Sequence, residues 1–325
     1  MTALQLPHPI LPRTATDVAV VGGGPVGIFL AVLLAQAGVS VQVLEQRRER
    51  SEHSRAIGIH PPALAALAQA GVAKEMSSEG VQIRRGEARS SGRPVAAVDF
   101  SAASSEFPYV LTLPQLRTEA ILEARLRDLD PQALVRGAKV DSLHDDGSRV
   151  LLRGTAGFAG VPRPELAGVA QPGRAGEAQP GRPFETSARI TVAADGARSP
   201  VRRLLGTSCR TRDLPDTYLM GDFADTTGDG PVGVLYLESG GIVESFPLPG
   251  GIRRWVAHTD TLLSGATAAD LAALVAERTG VRPDPASNTM LSAFSVRTGL
   301  ARDLVRGRTV LIGDAAHEVS PIGGQ

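Results

Sequence analysis

The chain has 325 residues, 42% of them hydrophobic and 21% charged, which excludes intrinsic disorder and leaves room for one large domain or two ordinary ones. Lys plus Arg and Asp plus Glu both total 34, a balance that gives no sign of a nucleic-acid or anionic-membrane partner. Cys209 is the single cysteine, so an intrachain disulfide is excluded and a reducing cytoplasm is the natural setting.

Residues 1–14 form a Pro-rich tail. The stretch Val18–Leu44 is uncharged and long enough to span a bilayer, but Gly22-Gly23-Gly24-Pro25 and Gly38 break it. The helical part between them falls well short of the ~20 residues a spanning helix needs, so stable membrane insertion is not expected. Asp17–Val21 instead reads as a buried strand, Pro25–Ala37 as a helix closed by Gly38, and Val39–Leu44 as a second apolar strand. Strand, glycine turn, helix, strand is the opening of a doubly wound sheet.

Pro61-Pro62 opens a short helix, Ala63–Ala70, that Gly71 ends. Gln82–Phe100 has the alternation of antiparallel strands, Gln115–Leu129 that of a helix, and Lys139–Arg153 that of two strands around an Asp145-Asp146-Gly147 turn. Residues 154–186 are rich in Gly, Pro and Ala and repeat Gln171-Pro-Gly-Arg174 as Gln179-Pro-Gly-Arg182. Two copies are too few for a repeat fold, and the stretch reads as a flexible surface insertion. Arg189–Ala193 is a strand leading into Asp195-Gly196. From 206 to 295 the chain is strand-rich, with Val232–Leu237, Ile242–Phe246 and Arg253–His258 separated by double-glycine turns, and Ala268–Arg278 is a helix. Arg308–Ile312 returns to the buried parallel-strand pattern and runs into Gly313-Asp314.

Three motifs carry the chemistry, each behind a buried strand. The first is Gly22-x-Gly24-x-x-Gly27. Gly22 permits the tight turn, Gly24 lets backbone approach a pyrophosphate, and Gly27 lets helix and strand pack closely. Pro25 and Val26 begin the helix whose free N–H groups favour phosphates. Glu45, with Gln46 beside it, ends the second strand where a carboxylate can bond ribose hydroxyls. A Gly-rich turn that merely packs helix on strand is the alternative; the strand before, helix after and acid in place favour a dinucleotide site. The motif alone does not separate FAD from NAD. Arg47 and Arg48 could suggest the 2′-phosphate of NADP, but Glu45 would repel it, and solvated surface is the favoured reading. The second motif is Asp195-Gly196-Ala-Arg-Ser199-Pro-Val201-Arg202, and the third Gly313-Asp314-Ala-Ala-His317 followed by Pro321 and Gly323-Gly324-Gln325.

Together these ordered motifs resemble the FAD-dependent aromatic-ring monooxygenases of the p-hydroxybenzoate hydroxylase type, over nearly the whole chain after about residue 15. The resemblance implies an α/β fold with a Rossmann-like FAD-binding domain built on a parallel sheet (15–79, 108–205 and 296–325) and a smaller, mainly antiparallel substrate domain (80–107 and 206–295). It implies that Asp195, Gly196 and Arg202 lie beside FAD and the path of NADH or NADPH, and that Asp314, after Gly313, binds a ribityl hydroxyl. It further implies that Pro321 lies near the flavin ring, Arg55 near the pyrophosphate and Gln115 against the flavin. Arg55 as a surface charge and Gln115 as a helix-start residue remain open alternatives, and His317 reads as a capping or packing residue rather than a catalytic one.

The activity implied is hydroxylation of a small, electron-rich, aromatic molecule through a flavin C4a-hydroperoxide, with NAD(P)H and O2 as co-substrates and no obligatory side-chain acid or base. Met220, Tyr236 and Phe246 are candidates for the pocket lining, or plain core. The six histidines have no metal-ligand spacing. In the family a Gly-x-Asn and a long helix follow Gly-Gly-Gln. Their absence after Gln325 implies a piece of a longer product or a non-catalytic remnant with weak FAD binding. A reductase or halogenase of the same fold is a further alternative, although Trp255 is the only tryptophan and no Trp-x-Trp-x-Ile-Pro signature is present.

Overall fold

Four β-branched or small apolar residues, Val18 to Val21, make Ala15–Val21 a strand that sheet neighbours can bury on both faces. The structure, a computed structural model, describes residues 11–50, 56–157 and 181–319. Pro25 occupies the first turn of Pro25–Gln36, where its missing N–H costs nothing, and Val41–Glu45 returns fully buried alongside Ala15–Val21, Val18 beside Val41 and Val21 beside Leu44. On its other side Ala15–Val21 pairs in parallel with Arg182–Ala193, Val20 beside Val192. Thr309–Leu311 extends the sheet past that strand, and Leu134–Arg136 past Val41–Glu45, both in parallel. The edge strand Val305–Arg306 is antiparallel. From Ala15–Val21 the chain therefore goes one way to Val41–Glu45 and later comes back on the other side, which makes the C-terminal tip of Ala15–Val21 the point where strand order reverses.

The expected hairpin around Gly147 forms from Ala138–Asp145 and Val150–Ala156, and joins the first half of Arg182–Ala193, Val150 opposite Ala188. The pairing corrects the limits of the expected insertion. Gly154–Ala156 and Arg182–Thr186 are ladder residues, Gly154 opposite Phe184. Their Gly and Pro content reads as loop, yet backbone pairing with a long neighbour holds them as strand. Residues 158–180, with the first copy of the repeat, lie outside the described residues. No helix among the described residues is long and apolar enough to cross a membrane.

The chain divides into two units, Met1–Arg50, Leu126–Ser208 and Ala301–Ala316 against Ser51–Arg125, Cys209–Leu300 and His317–Gln325. The first holds the parallel sheet and its hairpin. Its division from the second differs from the expected one, since 51–79 and 108–125 group with the antiparallel strands and make the second unit the longer. The reason is local. Gly58–Ile59, Val110–Thr112 and Val81–Ile83 close a three-stranded antiparallel sheet, and the Thr112 hydroxyl donates to the Pro247 carbonyl at 2.6 Å.

The second unit is an eight-stranded sheet in the order His317–Glu318, Met290–Ala301, Cys209–Ala224, Ile252–Thr259, Val243–Leu248, Val232–Tyr236, Arg85–Ser90, Arg93–Asp99. Its pairings are antiparallel from Cys209–Ala224 through Val232–Tyr236, and parallel between Val232–Tyr236 and Arg85–Ser90. Helix Ala268–Thr279 begins at a Thr267/Asp270 capping box and ends at left-handed Gly280. It lays Leu271 and Val275 on one sheet face, among Leu219, Phe223, Val234, Tyr236, Val243, Trp255 and Ala257. Tyr236 is thus core, whereas Met220 belongs to a separate cluster with Tyr218, Val256 and Val296.

Two consecutive arginines in Ile252–Thr259 are buried. Arg253 donates to the Asp225 carboxylate (2.9 Å), the Ser245 hydroxyl (3.0 Å) and the Gly230 carbonyl (2.8 Å). Arg254 makes a two-pronged pair with Asp222 at 2.7 and 2.8 Å. Removing one partner strands a desolvated charge, so Asp222→Ala should lower the unfolding free energy by about 3–5 kcal/mol, and the double change Asp222→Leu/Arg254→Met by clearly less. Urea unfolding followed by circular dichroism checks this; equal losses in the two proteins would refute it.

Candidate functional site

In the first unit the glycine turn is held from two sides by backbone. Gly22 has φ +111°, and a Cβ there would collide with the Ala194 carbonyl of the neighbouring strand; a Cβ on Gly27 would collide with the Gly22 carbonyl. The Gly22 N–H donates to the Leu44 carbonyl at 2.9 Å and the Ala194 N–H to the Val21 carbonyl at 2.8 Å, which fixes the turn between two strand tips. Gly24 differs from both. It has an ordinary extended backbone, and a Cβ there would meet no atom within 4 Å. Its half-buried backbone at the N-terminus of Pro25–Gln36 leaves an open cradle that a side chain would fill, suited to a pyrophosphate.

Glu45 is buried, and its carboxylate faces this turn. Oε2 accepts from the Gly23 N–H at 2.6 Å, and Oε1 from the Arg47 N–H at 2.7 Å and the Arg47 guanidinium at 3.2 Å. Arg47 is exposed, as its surface reading expected, and its backbone and guanidinium also partner Glu45. Gln46, between them, is exposed.

The Asp-Gly motif follows the tip of Arg182–Ala193. Gly196 takes φ +82°, and Ser199 caps the short helix Pro200–Leu204 by accepting from the Arg202 N–H at 2.9 Å. Asp195 Oδ2 accepts from the Val201 N–H at 2.9 Å, while Oδ1 is buried with no partner among the described residues. Burial pushes this carboxyl above its ordinary range, against the pull of the Ser199 hydroxyl, the Val201 amide and the Arg202 guanidinium. An orphaned acceptor of this kind calls for a donor such as a ligand hydroxyl. Arg202 is buried and committed to backbone, giving Nη2 to the Ala197 carbonyl at 2.6 Å and Nη1 to the Ala315 carbonyl at 2.7 Å. It ties the Asp-Gly motif to the Gly-Asp motif.

The Gly-Asp motif closes the group. The Ile312 N–H donates to the Ala193 carbonyl at 2.9 Å, Gly313 has φ +55°, and a Cβ on it would come within 3.3 Å of the Val26 methyls. Asp314 lies exposed in the short turn Gly313–Ala315. The sheet thus brings Gly22, Gly24, Pro25, Val26, Gly27, Glu45, Gln46, Asp195, Gly196, Arg202, Gly313 and Asp314 to the C-terminal tips of four adjacent parallel strands.

Gln115 belongs to the second unit. Its N–H donates to the Ala56 carbonyl at 3.2 Å and its amide to the Glu119 carboxylate at 2.8 Å. His317 is exposed and paired through its backbone with Leu300. Arg55 and Pro321 lie outside the described residues. Sequence reasoning missed Ser199 and the partner role of Arg47. A serine before Pro200 carried a helix-cap signal; nothing in the sequence gave the direction of the Arg47 side chain.

A family model described as an FAD binding domain matches residues 15–161 and 171–325, breaking only within the Gly- and Pro-rich stretch. The chain belongs to this FAD-binding-domain family. Its relatives include an anhydrotetracycline monooxygenase of Streptomyces rimosus, 30% identical across 95% of this chain and 59% of the relative. A para-nitrophenol 4-monooxygenase of Pseudomonas sp. strain WBC-3 is 28% identical across 96% and 74%. Among solved structures, a p-nitrophenol 4-monooxygenase of Pseudomonas putida DLL-E4 superposes with a TM-score of 0.79 at 25% identity, covering 96% of this chain and 76% of that one. The chain spans about three fifths of the length of the first of these relatives.

The glycines separate folding from binding within the FAD-binding-domain site. Gly22→Ala forces a side chain into a left-handed position against backbone and should cost at least about 1–3 kcal/mol of stability. Gly24→Ala should leave the unfolding transition in place and weaken FAD binding about tenfold. Thermal unfolding together with titration of FAD fluorescence tests the contrast, and an FAD affinity untouched by Gly24→Ala would contradict it.

Proposed function

We propose that this chain binds FAD at the glycine turn and acts as a monooxygenase on a small aromatic molecule, with NADH or NADPH as reductant. The observation that carries the reading is the convergence of Glu45, the Gly22–Gly27 turn and Gly313-Asp314 on one edge of a single parallel sheet. The names of the relatives, monooxygenases of tetracycline-type and nitrophenol compounds, support the reaction class. The net reaction turns a ring C–H, O2, NAD(P)H and a proton into a ring C–OH, water and NAD(P)+.

Each residue then has a role set by its geometry. The N–H groups at the start of Pro25–Gln36, with Gly24 bare beneath them, receive the pyrophosphate. Glu45 accepts from ribose hydroxyls, exchanging its bonds from Arg47 for theirs, and so keeps its buried charge satisfied in both states. Asp314 accepts from a ribityl hydroxyl. Asp195 offers its orphaned oxygen to a donor of the bound cofactor or a water bridging to it. Arg202 holds the second and third motifs at fixed separation through two carbonyls. When bound, FAD supplies the transfer of electrons from nicotinamide to dioxygen, which no side chain of this chain can perform.

The purified protein, supplied with FAD, should bind it and oxidise NADH or NADPH faster when a phenolic compound is added. One atom of oxygen from 18O-labelled dioxygen should appear in the organic product, as read by mass spectrometry. Label arriving from water instead, or NAD(P)H oxidation indifferent to every aromatic compound in a phenol and polycyclic panel, would overturn the monooxygenase reading.

A further inference from the structure

The chain's single tryptophan lies inside the second unit, on the sheet face that helix Ala268–Thr279 covers. Gly221 and Ser245 stand opposite Trp255 on the two flanking strands, and their small size leaves the indole its space. Across the intervening strand Val243–Leu248 is Tyr236, whose ring centroid lies 6.0 Å from that of the indole, with the planes inclined by 30°. On the next strand Arg89 stands opposite Tyr236, with its guanidinium carbon 5.9 Å from the ring centroid. Arg89 gives Nη1 to the Tyr236 hydroxyl oxygen at 3.4 Å, and Nη2 to Asp229 Oδ1 and to Glu87 Oε2, each at 2.8 Å. Trp255 is 1% exposed and Tyr236 3%, whereas the Arg89 and Asp229 side chains are 22% and 13% exposed. Trp255, Tyr236 and Arg89 therefore run from sealed core to a partly open ion cluster.

Two groups of this cluster are unspent. The Tyr236 hydroxyl accepts from Arg89, and among the described residues nothing accepts its proton. Asp229 Oδ2 is buried and, among the described residues, has no donor. Packing accounts for a ring at position 236, but not for a buried phenol whose proton goes unused beside a carboxylate oxygen that lacks one. Arg89 cannot take that proton: it is already charged, and its hydrogen bond to Asp229 raises its pKa further. Burial, and then the Asp229 charge, push the Tyr236 phenol above its ordinary range, so it keeps its proton in the resting protein. The open acceptor held on the same guanidinium is Asp229 Oδ2.

We propose that Trp255 and Tyr236 form a relay that carries one-electron oxidation out of the core, with Asp229 as the proton acceptor of Tyr236. An oxygen-centred radical takes one electron from the Trp255 indole and leaves as its anion. Tyr236 returns an electron to the indole radical cation and passes its hydroxyl proton to Asp229 Oδ2, which leaves Trp255 intact and a neutral tyrosyl radical at the ion cluster. One electron from a solvent thiolate, with the proton handed back by Asp229, restores the phenol. The net change is reduction of the oxygen radical to its anion and oxidation of the thiolate to a thiyl radical. The relay is independent of the monooxygenase reading, because the ring geometry and the two unspent groups carry it.

Because Trp255 is the only indole, a nanosecond ultraviolet flash that photoionises it yields one identifiable indole radical. In the wild-type protein its absorption should decay while a tyrosyl band grows in with the same time constant. Tyr236→Phe keeps the packing and should lengthen the life of the indole radical roughly tenfold, with no matching tyrosyl growth. Asp229→Asn keeps an oxygen for Arg89 but removes the base, and should slow the growth severalfold. Tyr109→Phe should change neither trace. After a fixed dose of hydroxyl radical, peptide mass spectrometry should find severalfold more oxidised Trp255 in Tyr236→Phe than in the wild type. If Tyr236→Phe fails to fold, the wild-type kinetics and Asp229→Asn decide the matter. Indole decay without tyrosyl growth in the wild type, or decay unchanged by Tyr236→Phe, overturns the relay. Growth unchanged in Asp229→Asn overturns Asp229 as the proton acceptor, and equal oxidation of Trp255 in the two proteins overturns the discharge of oxidant.

Discussion

Everything in the first unit depends on how closely three backbone segments approach at the tip of Ala15–Val21. A Cβ on Gly22 would meet the Ala194 carbonyl, one on Gly27 the Gly22 carbonyl, and one on Gly313 the methyls of Val26. Each contact leaves no room for a Cβ or nearly none, so the three motifs lock into one another before any ligand is considered. The parallel ladder sets the strand tips side by side, and the glycines allow the loops beyond them to meet.

The same logic explains which polar groups are already satisfied and which are not. Glu45 is fixed by the Gly23 amide, and Arg202 spends its guanidinium on two carbonyls. These bonds hold the frame rigid. What remains open is the space over the backbone at Gly24 and one oxygen of Asp195. A site whose supports are fixed and whose ligand-facing groups are unspent is preorganised, and binding then loses less to ordering.

The second unit manages buried charge differently. Arg253 and Arg254, adjacent on one strand, project to opposite faces, and each finds its own carboxylate, Asp225 or Asp222. Helix Ala268–Thr279 covers the face that Arg253 shares, and the strong capping at Thr267 and Gly280 sets where that cover begins and ends.

The sequence by itself determined the parts governed by local periodicity and backbone chemistry. Val18–Val21 reads as a doubly buried strand and forms one, Gly22 and Gly27 stand where no Cβ fits, and Gln115–Leu129 begins and ends where its pattern says. Loop-like composition hid the strand residues 154–156 and 182–186, because what holds them is hydrogen bonding to a partner some thirty positions away. Tertiary structure alone decided that Arg47 turns back to Glu45, that Arg202 clamps Ala197 to Ala315, and that Tyr236 is core. Those outcomes depend on strand register and side-chain direction, and register is set by long-range pairing that no short window of sequence contains.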